Sequence, residues 1–369
     1  MSFYPLVVTG IIPVINSAGR NKMARLILKD NSIWEGEIFG APLPVAGEVV
    51  FSTAMTGYVE ALTDPSYKGQ ILVFTYPLIG NYGVPKNQSF QSEKIQVAGV
   101  VVSEHCLTPS HYQCLKTLDE WLKEHNIPGI SGIDTRNLTQ KIRQEGTMLG
   151  KIVPQNEEID FYDPNQENIV NQVSCQKPRL FSQNSSKTIC LIDCGYKKAI
   201  LNCLLERKVN VLVVPWNFDP FTHTQIKIDG ILISNGPGNP KMASQTIQTV
   251  KKALEKKIPI LGICLGNQIL ALAAGADTYK LKFGHRSVNQ PVKDLKSNRC
   301  FITSQNHGFA VNPQSLPKNW QTWFVNLNDE TCEGIISNDE RFLGVQFHPE
   351  GHPGPQDTKW VFDEFLEKL

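Results

Sequence analysis

The chain has 369 residues, of which 41% are hydrophobic and 19% charged, with 36 Lys+Arg against 35 Asp+Glu and a formal charge of +1. That length is more than one hydrophobic core usually organises, so two domains are expected, and the composition excludes collagen-like, disordered and coiled-coil classes. Balanced charge gives no electrostatic footprint for nucleic acid or anionic lipid, and no run approaches the roughly 20 apolar residues needed to span a bilayer.

Residues 1–22 read as an N-terminal extension that need not include the native start. Their apolar stretch, 5–15, is broken by Gly10 and Pro13 and follows no basic segment, which argues against a secretory leader. Patterned sequence begins after Met23. Residues 23–152 predict a mixed α/β domain. They carry a hairpin over 24–39 turning at Asp30 and Asn31, strands at 71–75 and 97–102, and helices at 115–125 and 135–145, the second capped by Asp134. Residues 153–187 predict a linker on the surface. Ten of the 34 positions from Pro154 to Lys187 are Asn or Gln, with Pro at 154, 164 and 178, and Ile169, Val170 and Val173 supply partial order. From 188 to 369 strand and helix alternate, the pattern of an α/β domain with a parallel sheet. Strands are expected at 188–192, 210–214, 230–234 and 258–263, and helices at 197–207, 246–256 and 267–274. No repeat of 20–50 residues is visible.

Nine cysteines are scattered without a CxxC pair, so neither a zinc ribbon nor a redox dithiol is encoded, and a reducing cytoplasm is the simplest setting. One cysteine stands apart. In residues 258–270 (IPILGICLGNQIL) an apolar strand runs into Gly262-x-Cys264-x-Gly266 and then into a helix. Paired glycines at this spacing permit the tight strand-to-helix turn that lifts a nucleophile clear of a sheet. Helix-start N–H groups favour a thiolate and can receive an oxyanion. The remaining eight cysteines read as structural.

A thiol nucleophile needs a base, and His348 in residues 342–350 (FLGVQFHPE) ends an apolar run with Glu350 two positions on. Residues two apart in extended chain project to one side, so the carboxylate can fix the ring's tautomer. Alone, His-Pro-Glu is better explained by a capped turn with a chance acid; beside the Cys264 turn it supplies the other half of a Cys–His–Glu triad. The turn at 235–238 (NGPG) lies at a strand's C-terminal end, where open α/β sheets bind ligands, although an ordinary Gly/Pro turn has the same composition. His307, in 305–309 (QNHGF), reads as a bystander. No phosphate-cradling loop occurs, and histidine spacing suggests no metal ligands.

With those residues in place, residues 262–266, 235–238 and 348–350 resemble the class I, or triad, glutamine amidotransferase domain. Residues 47–67 (GEVVFSTAMTGYVEALTDPSY), 75–81 (TYPLIGN), 132–136 (GIDTR) and 282–285 (KFGH) resemble the carbamoyl-phosphate synthase small-subunit family. The likeness covers roughly 24–369. It implies hydrolysis of L-glutamine to glutamate and ammonia, with ammonia passed to a large subunit that uses bicarbonate and ATP to make carbamoyl phosphate for pyrimidine and arginine synthesis. It also implies a cytoplasmic heterodimer whose higher assembly is open. The 23–152 domain would contact the large subunit, and this chain would hold no cofactor or metal, ATP and cations belonging to the large subunit. Carried over, Cys264 is the nucleophile, His348 the acid/base and Glu350 its orienter. Glutamine would be bound by Ser66, Gly236, Gly238, Leu265, Gln268, Asn306, Gly308 and Phe309, with the Leu265 and Gly238 N–H groups facing the oxyanion. Asn267, Ser287 and Gly351-His352 depart from the family's usual residues without removing a catalytic atom. The rival expectations are a glutaminase serving a different synthase, or a non-catalytic binding subunit.

Overall fold

The computed structural model describes residues 23–86, 89–154, 157–223 and 226–369; the extension at 1–22 lies outside the described residues. The first domain is more specific than the mixed α/β arrangement expected. Seven strands close into a barrel in the order Met23–Leu28, Ile33–Gly40, Pro128–Ser131, Gly99–Val101, Gln70–Phe74, Val45–Ser52 and Met148–Pro154. The predicted hairpin forms its opening pair, with Ala24 opposite Gly36 and Asn31 in the left-handed region at φ 69°. Period-two alternation divides the barrel's apolar residues between two clusters. Ile71 and Val73 pack with Leu138 and Ile142 of the helix Thr135–Glu145, whereas Leu72 and Phe74 pack toward Trp121 and Leu122 of the helix Leu118–Glu124. The longer helix starts where Asp134 accepts from Asn137 N. The shorter begins at 118 rather than 115 because Thr117 and Glu120 form a capping box there.

Residues 157–181 carry more structure than the linker expected. Two 3-10 turns, Pro164–Gln166 and Ile169–Gln172, lead into the strand Arg179–Phe181, which pairs antiparallel with Asn210–Pro215 at the edge of the second domain.

That domain holds a ten-stranded sheet. Its parallel part runs Asn210–Pro215, Thr188–Asp193, Gly230–Ile233, Ile260–Ile263 and Phe342–Val345. The expected parallel sheet is present, and beyond it Cys332–Ser337, Cys300–Asn312, Asp277–Asp294 and Trp320–Asn326 extend the sheet antiparallel, which the sequence did not reveal. On the strand Thr188–Asp193, Ile189 and Leu191 face the helices Lys198–Glu206 and Trp360–Leu366. Cys190 and Ile192 face Ser244–Glu255 and Leu265–Ala274. Helices therefore cover both faces of the parallel part, and its carboxyl ends gather Cys194, Asn235, Cys264 and Gln346 along one edge. No helix among the described residues is long and apolar enough to cross a membrane.

The barrel meets this edge through polar contacts. Thr53 N donates to the Arg286 carbonyl at 3.2 Å, Lys198 N to the Gln91 carbonyl at 2.9 Å, and Lys280 pairs with Glu48 at 2.5 Å.

Candidate active site

The strand Ile260–Ile263 ends at Cys264, whose backbone takes φ 54° and ψ −105° before the helix Leu265–Ala274 begins. A non-glycine residue at positive φ is strained, and such strain collects at functional turns. The flanking glycines make the turn possible. A Cβ on Gly262 would lie 2.5 Å from the Gly266 carbonyl oxygen, and one on Gly266 would lie 2.1 Å from that of Ile233. Cys264 N donates to the Val345 carbonyl at 2.8 Å, and Sγ contacts the Asn306 carbonyl at 3.6 Å. The thiol is 2% exposed, yet it lines a narrow cleft between the domains. It is sheltered from bulk water and open to a ligand.

His348 is held beside it by a backbone bridge, His348 N donating to the Ser304 carbonyl at 2.8 Å. Nδ1 lies 2.6 Å from Glu350 Oε1, and since a carboxylate only accepts, the proton sits on Nδ1. Nε2 is buried without another hydrogen-bond partner, and the Cys264 side chain acts on the ring. Burial is the largest single influence and opposes the imidazolium, but the Glu350 charge together with the hydrogen bonds to Cys264 and Glu350 outweighs it and raises the ring's proton affinity above that of an ordinary histidine.

Sequence reasoning missed a fourth member. Lys197, 1% exposed, places Nζ 2.9 Å from Glu350 Oε1 and 2.6 Å from the Gly351 carbonyl. Burial would push the Glu350 carboxyl up; the Lys197 ammonium first and His348 second hold it well below the usual carboxylate range. The signal available was a lysine just past a strand's carboxyl end, where the sequence reads as the start of a helix.

All eight proposed glutamine contacts line the cleft with Cys264. Gly238 sits at φ 83°, and Gly236 leaves no room for a side chain, a Cβ there lying 2.1 Å from the Cys194 carbonyl oxygen. Gln268 Nε2 donates to the Phe309 carbonyl at 2.7 Å and to Gln346 Oε1 at 3.0 Å. Ser66 arrives from the barrel: its Oγ accepts from Asn235 Nδ2 at 2.9 Å. Next to it Asp64 accepts from Ser66 N at 2.9 Å and from Asn306 Nδ2 at 3.0 Å. The residue whose carbonyl meets the sulfur is thus fixed from the other domain. The Leu265 N–H, first in its helix, has no helical carbonyl behind it and is free for an oxyanion. Glu48, Gln70, Asn165 and Arg286 also line the cleft and were not anticipated; Asn165 comes from the supposed linker.

His307 lines the cleft too, but its nitrogens are engaged by the Phe309 carbonyl at 2.8 Å and Gln305 Oε1 at 3.0 Å. Burial, with the charge of His285 second, pushes its proton affinity well below that of an ordinary histidine. His285, His307 and Glu333 approach closely enough to suggest a metal group. However, His285 already lies between Asp329 Oδ2 at 2.9 Å and Glu333 Oε1 at 3.2 Å, an ion-paired arrangement. Of the departures, Asn267 is buried and donates to Gln346 at 3.3 Å, Ser287 is buried, and Gly351 offers its carbonyl to Lys197.

Comparison with known proteins identifies the family. Residues 26–152 match the family described as carbamoyl-phosphate synthase small chain, CPSase domain, and residues 190–368 match glutamine amidotransferase class-I. The carbamoyl phosphate synthase small chain of Methanopyrus kandleri is 48% identical over 93% of this chain and 98% of its own length. The chain belongs to the carbamoyl-phosphate synthase small-chain family. The multifunctional protein CAD of Squalus acanthias is 49% identical over 94% of this chain, which spans only 16% of that relative. A mouse relative named carbamoyl-phosphate synthase [ammonia], mitochondrial, is 45% identical over 94% of this chain and 24% of its own length.

Proposed function

We propose that the chain is the glutaminase subunit of a carbamoyl-phosphate synthase. It hydrolyses L-glutamine to glutamate and ammonia and delivers the ammonia to a large subunit for carbamoyl phosphate synthesis from bicarbonate and ATP, feeding pyrimidine and arginine synthesis. Family membership alone does not decide the nitrogen source, since one relative is named for ammonia. The observation that carries the reading is the complete triad: a strained Cys264 turn facing a ring bonded to Glu350 at 2.6 Å.

The chemistry follows from that geometry. His348 takes the Cys264 proton on Nε2, and the sulfur attacks the side-chain carbonyl carbon of glutamine. Charge collects on the carboxamide oxygen, where the N–H groups of Leu265 and Gly238 stabilise it; one such donor contributes about 3–4 kcal/mol in comparable sites. His348 returns the proton to the departing ammonia, leaving a γ-glutamyl thioester. Water, deprotonated by the same ring, then cleaves the thioester to glutamate and restores the thiol. Every proton is returned, and no redox partner is required.

The barrel domain, 23–152, is assigned the large-subunit contact, and the linker and amidotransferase domain follow at 153–187 and 188–369. ATP and cations belong with the large subunit, and the nine free cysteines suit a reducing cytoplasm. Cys264→Ser tests the reading. The reconstituted complex should lose glutamine-dependent synthesis and keep ammonia-dependent synthesis; loss of both in an assembled complex contradicts it.

A further inference from the structure

The second domain holds another pocket, of about 340 Å³, which shares no lining residue with the catalytic cleft. Its walls come from the end of the strand Asp277–Asp294 and the turn after it, from Cys300–Asn312 and Trp320–Asn326, and from the helix Trp360–Leu366. Three rings form the apolar side. Trp323 and Trp360 meet edge to face at 5.9 Å, and Phe301 lies 5.9 Å from Trp360. Successive residues of a regular strand face opposite ways, yet Trp323 and Phe324 pack into one cluster with their rings 4.7 Å apart. A register shift between Thr322 and Phe324 allows this, since a bulge of that kind re-aims a side chain.

The same rings bring donors that lack acceptors. Trp323 is 1% exposed, and its Nε1, like that of Trp360, is buried without a hydrogen-bond partner among the described residues. A buried indole N–H ordinarily finds one, because leaving it unmet is costly. The charges around the pocket narrow what could supply it. Asp294 is committed to its own turn, Oδ1 accepting from Lys296 N at 2.9 Å and Oδ2 from Ser297 Oγ at 2.6 Å. Lys296 pairs with Glu340 at 2.6 Å, and Glu364 with Lys368 at 3.0 Å. Arg299 is left over: its guanidinium lies over the Phe301 ring, 5.1 Å from the centroid, with no ion pair among the described residues. The uncommitted groups are thus three aromatic rings, two N–H donors and one cation. Flat apolar faces suit a ring, and a guanidinium fork suits an oxyanion.

We propose that this pocket is a second ligand site, which binds a small aromatic oxyanion with its ring against Trp323, Trp360 and Phe301 and its carboxylate or phosphate on Arg299. The indole N–H groups serve as donors to its acceptor atoms. The site goes beyond glutamine hydrolysis and stands independently of the glutaminase reading.

The test titrates the full chain, labelled with nitrogen-15 at tryptophan, and follows the indole N–H resonances; Trp360→Phe identifies the one that belongs to the pocket. The probes are benzoate, phenyl phosphate, the neutral benzamide, and acetate, which has the charge without the ring. At least one of benzoate and phenyl phosphate should shift the Trp360 resonance saturably, with a Kd about 10-fold or more below that of benzamide, the scale of one charge-assisted hydrogen bond. Acetate should give no saturable shift. Arg299→Ala, a change at an exposed position, should leave the oxyanions binding no more tightly than benzamide. Tighter binding of phenyl phosphate assigns the site to a phosphate ester, and tighter binding of benzoate assigns it to a carboxylic acid; either supports the proposal. Shifts that never saturate with either oxyanion, or binding that Arg299→Ala leaves unchanged, overturn it.

Discussion

Lys197 gives the sharpest test of how the triad is tuned. Its ammonium is 2.9 Å from the Glu350 oxygen that also holds His348 at 2.6 Å, so it lies at most about 5.5 Å from the ring nitrogen. With neutral His348 and thiol Cys264, the buried charges of Lys197 and Glu350 cancel. Proton transfer from sulfur to ring then creates a second balanced pair. Without Lys197, nothing opposes Glu350's hold on the imidazolium, and the neutral ring that should accept the thiol proton becomes harder still to reach. Lys197 lowers the proton affinity of His348, opposing Glu350. At an effective dielectric constant of about 20, a charge about 5.5 Å away contributes about 3 kcal/mol, or about two pH units. Lys197→Met should therefore move the acidic limb of glutaminase kcat/KM upward by one to two pH units, roughly a 10- to 100-fold loss at neutral pH that recovers toward alkaline pH. Lys197→Arg, which keeps the charge, should hold the limb near its original position. Glutamate release by the assembled complex across pH 6–10 measures this. A uniform drop in rate with an unmoved limb would show that Lys197 serves packing alone and refute the charge argument.

Three further outcomes are expected. His285 is held protonated: burial opposes its charge, but Asp329 and Glu333 outweigh burial and raise it to about 9 from 6.5. Its stabilisation is fully present below about pH 6.5 and is lost as pH rises through 9. Urea midpoints should fall over that window by an amount worth about 1–2 kcal/mol after allowing for the partly exposed Asp329, and His285→Gln should flatten the fall. Gly266→Ala forces a Cβ to within 2.1 Å of the Ile233 carbonyl oxygen, which should destabilise the domain by about 1–3 kcal/mol in denaturant melts and reduce glutaminase kcat; an unchanged kcat would show the turn to be less constrained than its geometry implies. The isolated chain should hydrolyse glutamine more slowly than the complex, because uncoupled hydrolysis wastes ammonia; equal steady-state rates with and without the large subunit would count against coupling.

The parts of this site legible in sequence are those whose geometry is local. Cys264 was found because its strand, two glycines and helix are contiguous, and Glu350 because it is two positions from His348. The glutamine contacts came from resemblance, and the cleft gathers all eight. Lys197 and Glu350 are separated by 153 positions and meet only because parallel strands end side by side. No periodicity encodes such a meeting. Glu48 and Gln70 lie on barrel strands and carried no signal in the sequence, yet both are buried where the barrel meets the cleft. The barrel itself was reduced to scattered strands because Gly99–Val101 and Pro128–Ser131 are short, and closure depends on pairing order rather than composition. The antiparallel half of the second sheet was missed for a related reason: Asp277–Asp294 alternates imperfectly, with register shifts at Lys280/His285 and Ser287/Gln290.

Those irregular strands explain why a second domain belongs to the site at all. The parallel strands deliver Cys264, Asn235 and the approach to His348 to one edge, but the opposite wall of the cleft consists of His307, Gly308 and Phe309 on the antiparallel pair. That wall is secured from the barrel, through Thr53 N on the Arg286 carbonyl, Asp64 on Asn306 and Thr147 N on the Lys282 carbonyl at 2.8 Å. Because Asn306 offers its carbonyl to the sulfur and is itself held by Asp64, a displacement of the barrel can reach the nucleophile through this hydrogen bond among the others. A partner that grips the barrel can therefore alter the geometry at Cys264 without touching the amidotransferase domain, which gives a physical route by which a large subunit would govern hydrolysis.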